Sequence, residues 1–391
     1  MPEAVIALNA GSSTVKFGLY EVDASGRPSL VLRGVLDLSD APRLTARTAD
    51  GTPLQDRKLS GKADEGAGFG ELLDLIERHL GSERPIAAGH RIVHGGRDLI
   101  QPVRLTPDVV EAIEKLTPLA PLHQPRSLAP IHALAALRPE LPQVGCFDTA
   151  FHQTIGTTVA RVALPRKYEA EGVRRYGFHG LSYEYIAGRL REISPRLAAG
   201  RTVVAHLGNG ASLCAMRDGK SLDTTMGFSA LDGLVMGTRC GSIDPGVLLY
   251  LIQEKGISAE SLEHLLYEES GLLGVCGISA DMRTLAASDD PHAREALELF
   301  VFRAARETAA LANTLGGLDC LVFTAGIGEH SAPVRSAICA KLEWLGVRID
   351  AAANEAHAEL ISAPESAVAV LVIPTDEELV IARSVLVASG L

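Results

Sequence analysis

Val5–Ile6–Ala7–Leu8–Asn9–Ala10–Gly11–Ser12–Ser13–Thr14–Val15–Lys16–Phe17–Gly18–Leu19–Tyr20 reads as an apolar strand, a turn of small hydrogen-bonding residues, and a second strand with period-2 alternation. Such a turn gathers backbone N–H groups, hydroxyls and one lysine at one place, which suits a phosphoryl group. A similar passage returns in the second half as Val203–Val204–Ala205–His206–Leu207–Gly208–Asn209–Gly210–Ala211–Ser212–Leu213–Cys214–Ala215–Met216. Placing Ala7–Ser12 on Ala205–Gly210 pairs two strand–turn–strand units. The spacing predicts a duplicated domain with a nucleotide between its halves. No GxxxxGK[ST] string occurs, so neither turn is a Walker A loop.

At 391 residues the chain accommodates two domains, and 47% hydrophobic with 22% charged residues is an ordinary globular composition. The formal charge of -11 gives no overall pull towards nucleic acid or an anionic membrane. A small anionic substrate then depends on a few locally placed arginines. No apolar run is long enough to span a bilayer, and Met1–Pro2–Glu3–Ala4 enters a strand without a basic leader. Cys146, Cys214, Cys240, Cys276, Cys320 and Cys339 are scattered without a CxxC pair, which predicts free, mostly buried thiols. Both points predict a cytoplasmic protein.

Strands and helices alternate, which predicts α/β layers. A third strand is expected at Ser29–Leu36, a helix at Phe69–Leu80 and a buried strand at Ile86–Val93. Residues 39–66 are polar and poorly periodic and read as a surface excursion. Thr106 caps a helix opening at Pro107, since proline tolerates the first helical position. A helix over Ser127–Ala136 and a strand over Gln143–Asp148 follow. The second half repeats the theme, with strands at Val203–His206, Ser212–Arg217 and Leu321–Thr324 and a long helix at Pro291–Leu315. The strand Ala367–Ile373 then leads through Pro374–Thr375–Asp376–Glu377–Glu378 into a helix over Leu379–Val387. The polar stretch Pro165–Arg175 reads as a linker region.

Four clusters carry candidate chemistry. Asn9, Ser12, Thr14 and Lys16 form the first; a β-turn satisfying its own backbone is the plainer reading, against which Lys16 is odd in so apolar a strand. The second is Gly89–His90–Arg91–Ile92–Val93–His94–Gly95–Gly96. Arg91 in an apolar strand needs a partner, and either a bidentate phosphate or carboxylate ligand or a structural Asp–Arg pair meets that need. His90 and His94 would lie about 13 Å apart along a strand, too far for one metal ion. Asp148, just beyond a strand end, and His179, within Tyr176–Gly177–Phe178–His179–Gly180, form the third. His179 is either a positioned donor or a satisfied core residue. In the fourth, Gly227 to Gly241, glycines surround Arg239; facing one cleft with Arg91, it would clamp an anion. The loops Gly274–Ser279 and Thr324–Ser331 have room for a flat base and phosphates.

The ordered strings LNAGSS, GHRIVHGG, APLHQP, FDTAFH, YGFHG, HLGNGAS, MGTR, FTAGIGE and PTDEE resemble the acetate kinase family, within the superfamily of acetate and sugar kinases, Hsc70 and actin. The resemblance runs through nearly the whole chain. It implies an α/β fold of duplicated RNase H-like, actin-like ATPase domains flanking a nucleotide cleft: a first lobe at 1–150 completed by 377–391, and a second at 151–376 carrying most of the nucleotide site. It implies ATP/ADP and Mg²⁺ (Mn²⁺ in its place), a short-chain carboxylate acceptor and a homodimer joined through the second lobe. Asn9 matches the active-site asparagine beside Ser12, Thr14 and Lys16; Arg91 and Arg239 match the arginines on the carboxylate and the transferring phosphoryl group. Asp148 matches the catalytic aspartate, and His179 and His206 the histidines near the transferred group. Glu377 matches the metal-associated glutamate, with Glu378 adjacent.

His206, Leu207, Gly208, Asn209 and Gly210 resemble the loop under the ATP phosphates; Asp281, Met282, Arg283, Gly326, Ile327, Gly328 and His330 fall at the adenosine. His330, Met282 and Gln124 stand where the family commonly has asparagine, phenylalanine and asparagine. Leu181–Ser182–Tyr183 follows YGFHG in place of Thr-Ser-His. Val93, Leu122, Phe178 and Ala230 match the pocket for the acetate methyl, and Ala230 replaces a common proline. The implied reaction is ATP + acetate ⇌ ADP + acetyl phosphate by direct in-line transfer. Alternatives are a propionate kinase and, more remotely, a non-enzymatic actin- or Hsc70-like nucleotide-binding protein, which would leave Arg91 and Arg239 unexplained. An aspartyl- or glutamyl-phosphate intermediate would put a carboxylate where the acceptor must sit.

Overall fold

Strand β1 (Glu3–Ala10) is buried from Ala4 onward and pairs antiparallel with β2 (Thr14–Val22), in a register that sets Asn9 opposite Lys16. The computed structural model describes residues 3–11, 14–39, 41–59, 65–81 and 84–389. Its chain divides into two compact units, 1–151 with 376–391, and 152–375.

The first unit is built on β3 (Pro28–Asp37), β4 (Arg43–Thr48), β5 (Pro53–Lys58), β6 (Pro85–Ile92), β7 (Val103–Arg104) and β8 (Gln143–Phe147), with β1 and β2. They form one sheet in the order β5-β4-β3-β2-β1-β6-β8-β7. The pairs β1/β6 and β6/β8 are parallel, so the ends of β1, β6 and β8 lie together at one edge, where α/β folds place ligands. Ile6, Leu8, Phe17 and Leu19 meet Phe69, Leu72 and Ile76 of helix Glu65–Leu80 in one core, each fully buried apolar side chain contributing roughly 1.5–3 kcal/mol. Helix Glu377–Ser389 packs against β1, β6 and β8. Its approach requires Gly89, since a Cβ there would fall 2.5 Å from methyls of Ile381 and Val385.

The second unit holds β9 (Thr202–Leu207), β10 (Ala211–Arg217), β11 (Lys220–Thr224), β12 (Cys320–Thr324) and β13 (Ala369–Val372), in the order β11-β10-β9-β12-β13. The order β3-β2-β1-β6-β8 of the first sheet is repeated strand for strand. In both, an antiparallel meander is followed by two parallel strands. These are duplicated RNase H-like α/β units. Helix Pro291–Leu315 covers β9 and β10 of the second sheet; Asp290 caps it by accepting the His292 N–H at 2.8 Å.

Three expectations need correction. Residues 39–66 are not merely an excursion, because β4 and β5 form a hairpin extending the sheet. The Asp50–Gly51 turn and the 2.6 Å Arg43–Asp56 ion pair fix it; one exposed face hides its periodicity. Pro165–Arg175 includes helix Arg166–Ala170 and lies within the second unit, so it is no linker. Thr106 occupies the cap position before Pro107, but its side chain makes no capping bond. Cys240 is half-buried and the other five cysteines are buried; all are free thiols. Among the described residues no helix is long and apolar enough to cross a membrane.

Buried histidines make both units acid-labile. Burial pushes His90 and His94 in the first unit, and His152 in the second, from 6.5 down to about 4. The unfolded chain then binds more protons between pH 6.5 and pH 4. Their stabilising contribution is complete above pH 6.5 and is lost as pH falls towards 4, on the order of 3 kcal/mol per histidine. Calorimetric melting across this range should show that decline, and His152→Asn should flatten it; a slope unchanged by His152→Asn would contradict the assignment.

Candidate active site

In the first unit, the ends of β1, β6 and β8 bring Asn9, Arg91 and Asp148 together. Arg91 donates to Asp148 Oδ2 through Nε at 2.9 Å and Nη2 at 2.6 Å. Its Nη1 donates to Asn9 Oδ1 and the Ala10 carbonyl, each at 3.3 Å. Asp148 is only 1% exposed. Burial opposes the charge on Arg91, but Asp148 and Glu377 outweigh it and hold the guanidinium charged. The Asp–Arg pair left open by the sequence therefore exists.

Asn9 continues the chain of contacts. Its Nδ2 donates to Glu377 Oε2 and Glu378 Oε1, both at 2.8 Å. Both glutamates thus converge on one amide at the start of helix Glu377–Ser389. Burial, then the neighbouring Glu377 charge, pushes Glu378 above the usual carboxylate range, while Lys16 acts in the opposite sense. A divalent cation would offset that penalty, so the donor set fits one. Among the described residues no three His, Cys, Asp or Glu side chains form a cage; such a cation would take its remaining ligands from water and phosphate. Thr14 is half-buried, Lys16 is exposed, and Ser12 lies outside the described residues.

Gln124 and the pocket residues of this unit lie nearby in the chain. Gln124 is fully buried and grips the His94 backbone from both sides, accepting its N–H at 3.2 Å and donating to its carbonyl at 2.9 Å. That pins the loop after β6. Val93 is buried and Leu122 half-buried.

In the second unit, His179 and His206 stack, with ring centroids 4.2 Å apart and planes within 15°. His179 stands in the left-handed region (φ 59°) before helix Gly180–Ile193. Hydroxyls aim both rings: Ser212 Oγ lies 2.8 Å from His179 Nδ1, and Ser182 Oγ 2.9 Å from His206 Nδ1. Tyr183 also bonds Ser212. The opposite ring nitrogens face the glycine loop. A Cβ built on Gly210 would fall 3.4 Å from His179 Nε2 and 3.8 Å from Arg239 Nη1. Arg239 is steadied by the Ala230 carbonyl, which accepts from Nη1 at 3.1 Å. Gly237 donates its N–H to the Asn209 carbonyl, and a Cβ there would collide with Asn209 Oδ1. Thus His179, His206, Gly208, Asn209, Gly210 and Arg239 come together.

The remaining candidates divide. Phe178 and Ala230 are buried, as are Leu207 and Met282, whose side chains serve the core. Asp281 and Arg283 satisfy each other: the carboxylate accepts from the Arg283 N–H at 2.7 Å and pairs with its guanidinium, which holds Asp281 down at about 2. Gly326, Ile327, Gly328 and His330 lie in helix Ala325–His330, with Gly326 and His330 exposed. Sequence reading missed Ser182 and Ser212 as orienting groups. Their only sequence signal is a hydroxyl within a buried apolar segment.

Fixed cations and hydrogen-bond donors, with Asp148 engaged to an arginine rather than poised as nucleophile, define a phosphotransferase on duplicated RNase H-like units. The acetokinase family model matches residues 4–383. An acetate kinase of Rhodopseudomonas palustris is 52% identical over 390 residues, 98% of each chain. Among solved structures, a propionate kinase from Francisella tularensis aligns with a TM-score of 0.90 at 37% identity over 98% of each chain. Porphyromonas gingivalis acetate kinase aligns with a TM-score of 0.87 at 36% identity, covering 99% of this chain and 100% of that one. The chain belongs to the acetokinase family and is a kinase; membership implies ATP/ADP, a carboxylate and a divalent cation.

Arg91→Ala would strand the buried Asp148 carboxylate. Urea unfolding should show a loss of about 3–5 kcal/mol; a variant as stable as the parent would mean the pair does not hold the strand ends.

Proposed function

We propose that the chain catalyses ATP + acetate ⇌ ADP + acetyl phosphate by one direct in-line transfer. A carboxylate oxygen of acetate forms the new bond to the γ-phosphorus as its bond to the β,γ-bridging oxygen breaks, leaving ADP. Acetate is already ionised at neutral pH, so no strong base is required. The carrying observation is Arg91, held charged and oriented by Asp148 beside Asn9. Arg91 and Arg239 supply positive charge to the carboxylate and the transferring group, and His179 and His206 donate to it. Glu377 and Asn9, with Glu378, would hold a divalent cation, Mg²⁺ in preference to Mn²⁺; when bound, it neutralises phosphate charge. Thr14, Lys16 and Ser12 are the residues proposed for the phosphate path. The 206–210 loop takes the ATP phosphates, and Asp281–Arg283, Gly326–Gly328 and His330 take the adenosine.

Trapping acetyl phosphate as hydroxamate tests the reaction directly. Arg91→Ala and Arg239→Ala should each lose about a hundredfold or more in kcat; near-normal turnover in either removes that arginine from the site. Chiral γ-phosphate should invert, and retention would demand a phosphoenzyme. A second reading, propionate kinase, is favoured by Ala230 in place of proline and by likeness to the Francisella tularensis propionate kinase. An extra methylene is worth only roughly 1–3 kcal/mol. The order expected from kcat/KM is acetate, then propionate, with butyrate poor; a clear propionate preference transfers the assignment.

The proposed setting is a cytoplasmic homodimer. In support, helix Pro245–Gln253 of the second unit has no buried residue, with Val247, Leu249, Tyr250 and Ile252 all exposed. Light scattering should give twice the chain mass, and Leu249→Glu with Tyr250→Glu should give monomer; a monomeric parent protein would contradict the dimer.

A further inference from the structure

Glu329 follows the Gly326–Gly328 turn and belongs to none of the groups described so far. Strands β12 and β13 run parallel, and the Ile373 N–H still bonds the Phe323 carbonyl at 3.0 Å. Beyond that bond the β12–β13 pairing ends, while Thr324 still pairs with His206 of β9. There Glu329 Oε1 accepts the Ala325 N–H at 2.8 Å and the Thr375 N–H at 3.1 Å. One carboxylate oxygen therefore closes the end of the pair where the ladder stops. The Thr324 and Thr375 hydroxyls, both buried, have no hydrogen-bond partner among the described residues, so they add nothing to the closure. The Glu329 side chain is 15% exposed. Accepting two backbone N–H groups holds the carboxylate rigidly in place.

The turn it closes is strained. Ala325 has φ 64°, a left-handed conformation that a non-glycine residue adopts at a cost of about 1 kcal/mol or more. Opposite the carboxylate, the main chain at Glu329 is clamped from below. Arg335 is fully buried and donates through Nη1 to the Gly328 and Glu329 carbonyls, each at 2.9 Å. Its Nε and Nη2 bond Asn354 Oδ1, the Asn354 carbonyl and His357 Nδ1. All five guanidinium donors are thus used on neutral acceptors, so this arginine neutralises no carboxylate and serves to fix backbone. Thr375, the other end of the clasp, lies two residues before Glu377 in the chain.

We infer that Glu329 is a positioning residue that holds the Ala325–Gly328 turn in its nucleotide-binding shape and anchors the Pro374–Thr375 segment preceding the acidic pair. The inference rests on the proposed assignment of this turn to the nucleotide. Removing the carboxylate frees two N–H groups, relaxes Ala325 and loosens the segment that delivers Glu377 and Glu378. ATP and Mg²⁺ parameters therefore respond together, while acetate binding does not.

Kinetics and ADP calorimetry on the full chain with Glu329→Ala, Glu329→Gln and Glu329→Asp test this. Glu329→Ala should raise KM for ATP and Kd for ADP at least tenfold and raise the Mg²⁺ concentration for half-maximal rate several-fold. KM for acetate should stay within twofold. Glu329→Gln keeps an acceptor oxygen at the same reach and should stay within threefold of the parent; Glu329→Asp, with the charge but a shorter reach, should fall between. ATP and ADP parameters unchanged in Glu329→Ala, or an acetate KM rising in step with that for ATP, would overturn the inference. Should Glu329→Ala fail to fold, Glu329→Asp with unaltered ADP affinity would do the same. The reaction fails separately: a parent protein that binds ADP but forms no acetyl phosphate contradicts the reaction and leaves the clasp standing.

Discussion

The contact on which the first unit turns is the guanidinium of Arg91 between Asp148 and Asn9. Its charge sits at the end of a buried strand, where leaving it unpaired would cost several kcal/mol. Asp148 at the end of β8 supplies the balancing charge, and Asn9 at the end of β1 passes the interaction on to Glu377 and Glu378. Three parallel strand ends and the terminal helix are thereby tied by one polar chain. The C-terminal residues belong to the first unit for this reason as well as for the apolar packing of Ile381 and Val385 against Gly89.

Repetition of the strand order explains why so much was readable. Each unit's first hairpin carries its alternation and turn residues in one short stretch, so the duplication shows without any tertiary information. The long helix near Pro291–Leu315 was legible in sequence, and in the structure Asp290, Pro291 and Gly316 punctuate its ends. The β4–β5 hairpin was not legible, because Leu44 and Ala46 are the only buried apolar residues of RLTART and PLQDRK is exposed on nearly every position, so only the Asp50–Gly51 turn marks it. Arg91 and Asp148 were legible as charges where charge is expensive. Their bond to each other was one of two open readings, since a strand sequence does not reveal its neighbour.

The orienting groups escaped for a different reason. Ser182, Ser212 and Gln124 carry no charge, and in sequence they are indistinguishable from residues that merely satisfy a local backbone. Their meaning arises only when a helix turn or a neighbouring strand brings a histidine nitrogen or the His94 backbone within 3.2 Å. Asp281 and Arg283 were legible as charged residues, but their bond to each other at a helix start was not.

The two units have the same strand order but different electrostatic equipment, and the difference follows from what each must face. In the first, acids are gathered: Asp148 is bound to an arginine, and Glu377 and Glu378 crowd together at a burial cost that Asn9 and Lys16 offset in part. In the second, hydroxyls aim the stacked histidines beside the glycine loop. Serine orients each ring without adding charge and leaves Nε2 facing the loop. The two imidazoles stack 4.2 Å apart beside that loop. Fixed positive charge is left to arginine, which does not titrate in the working range.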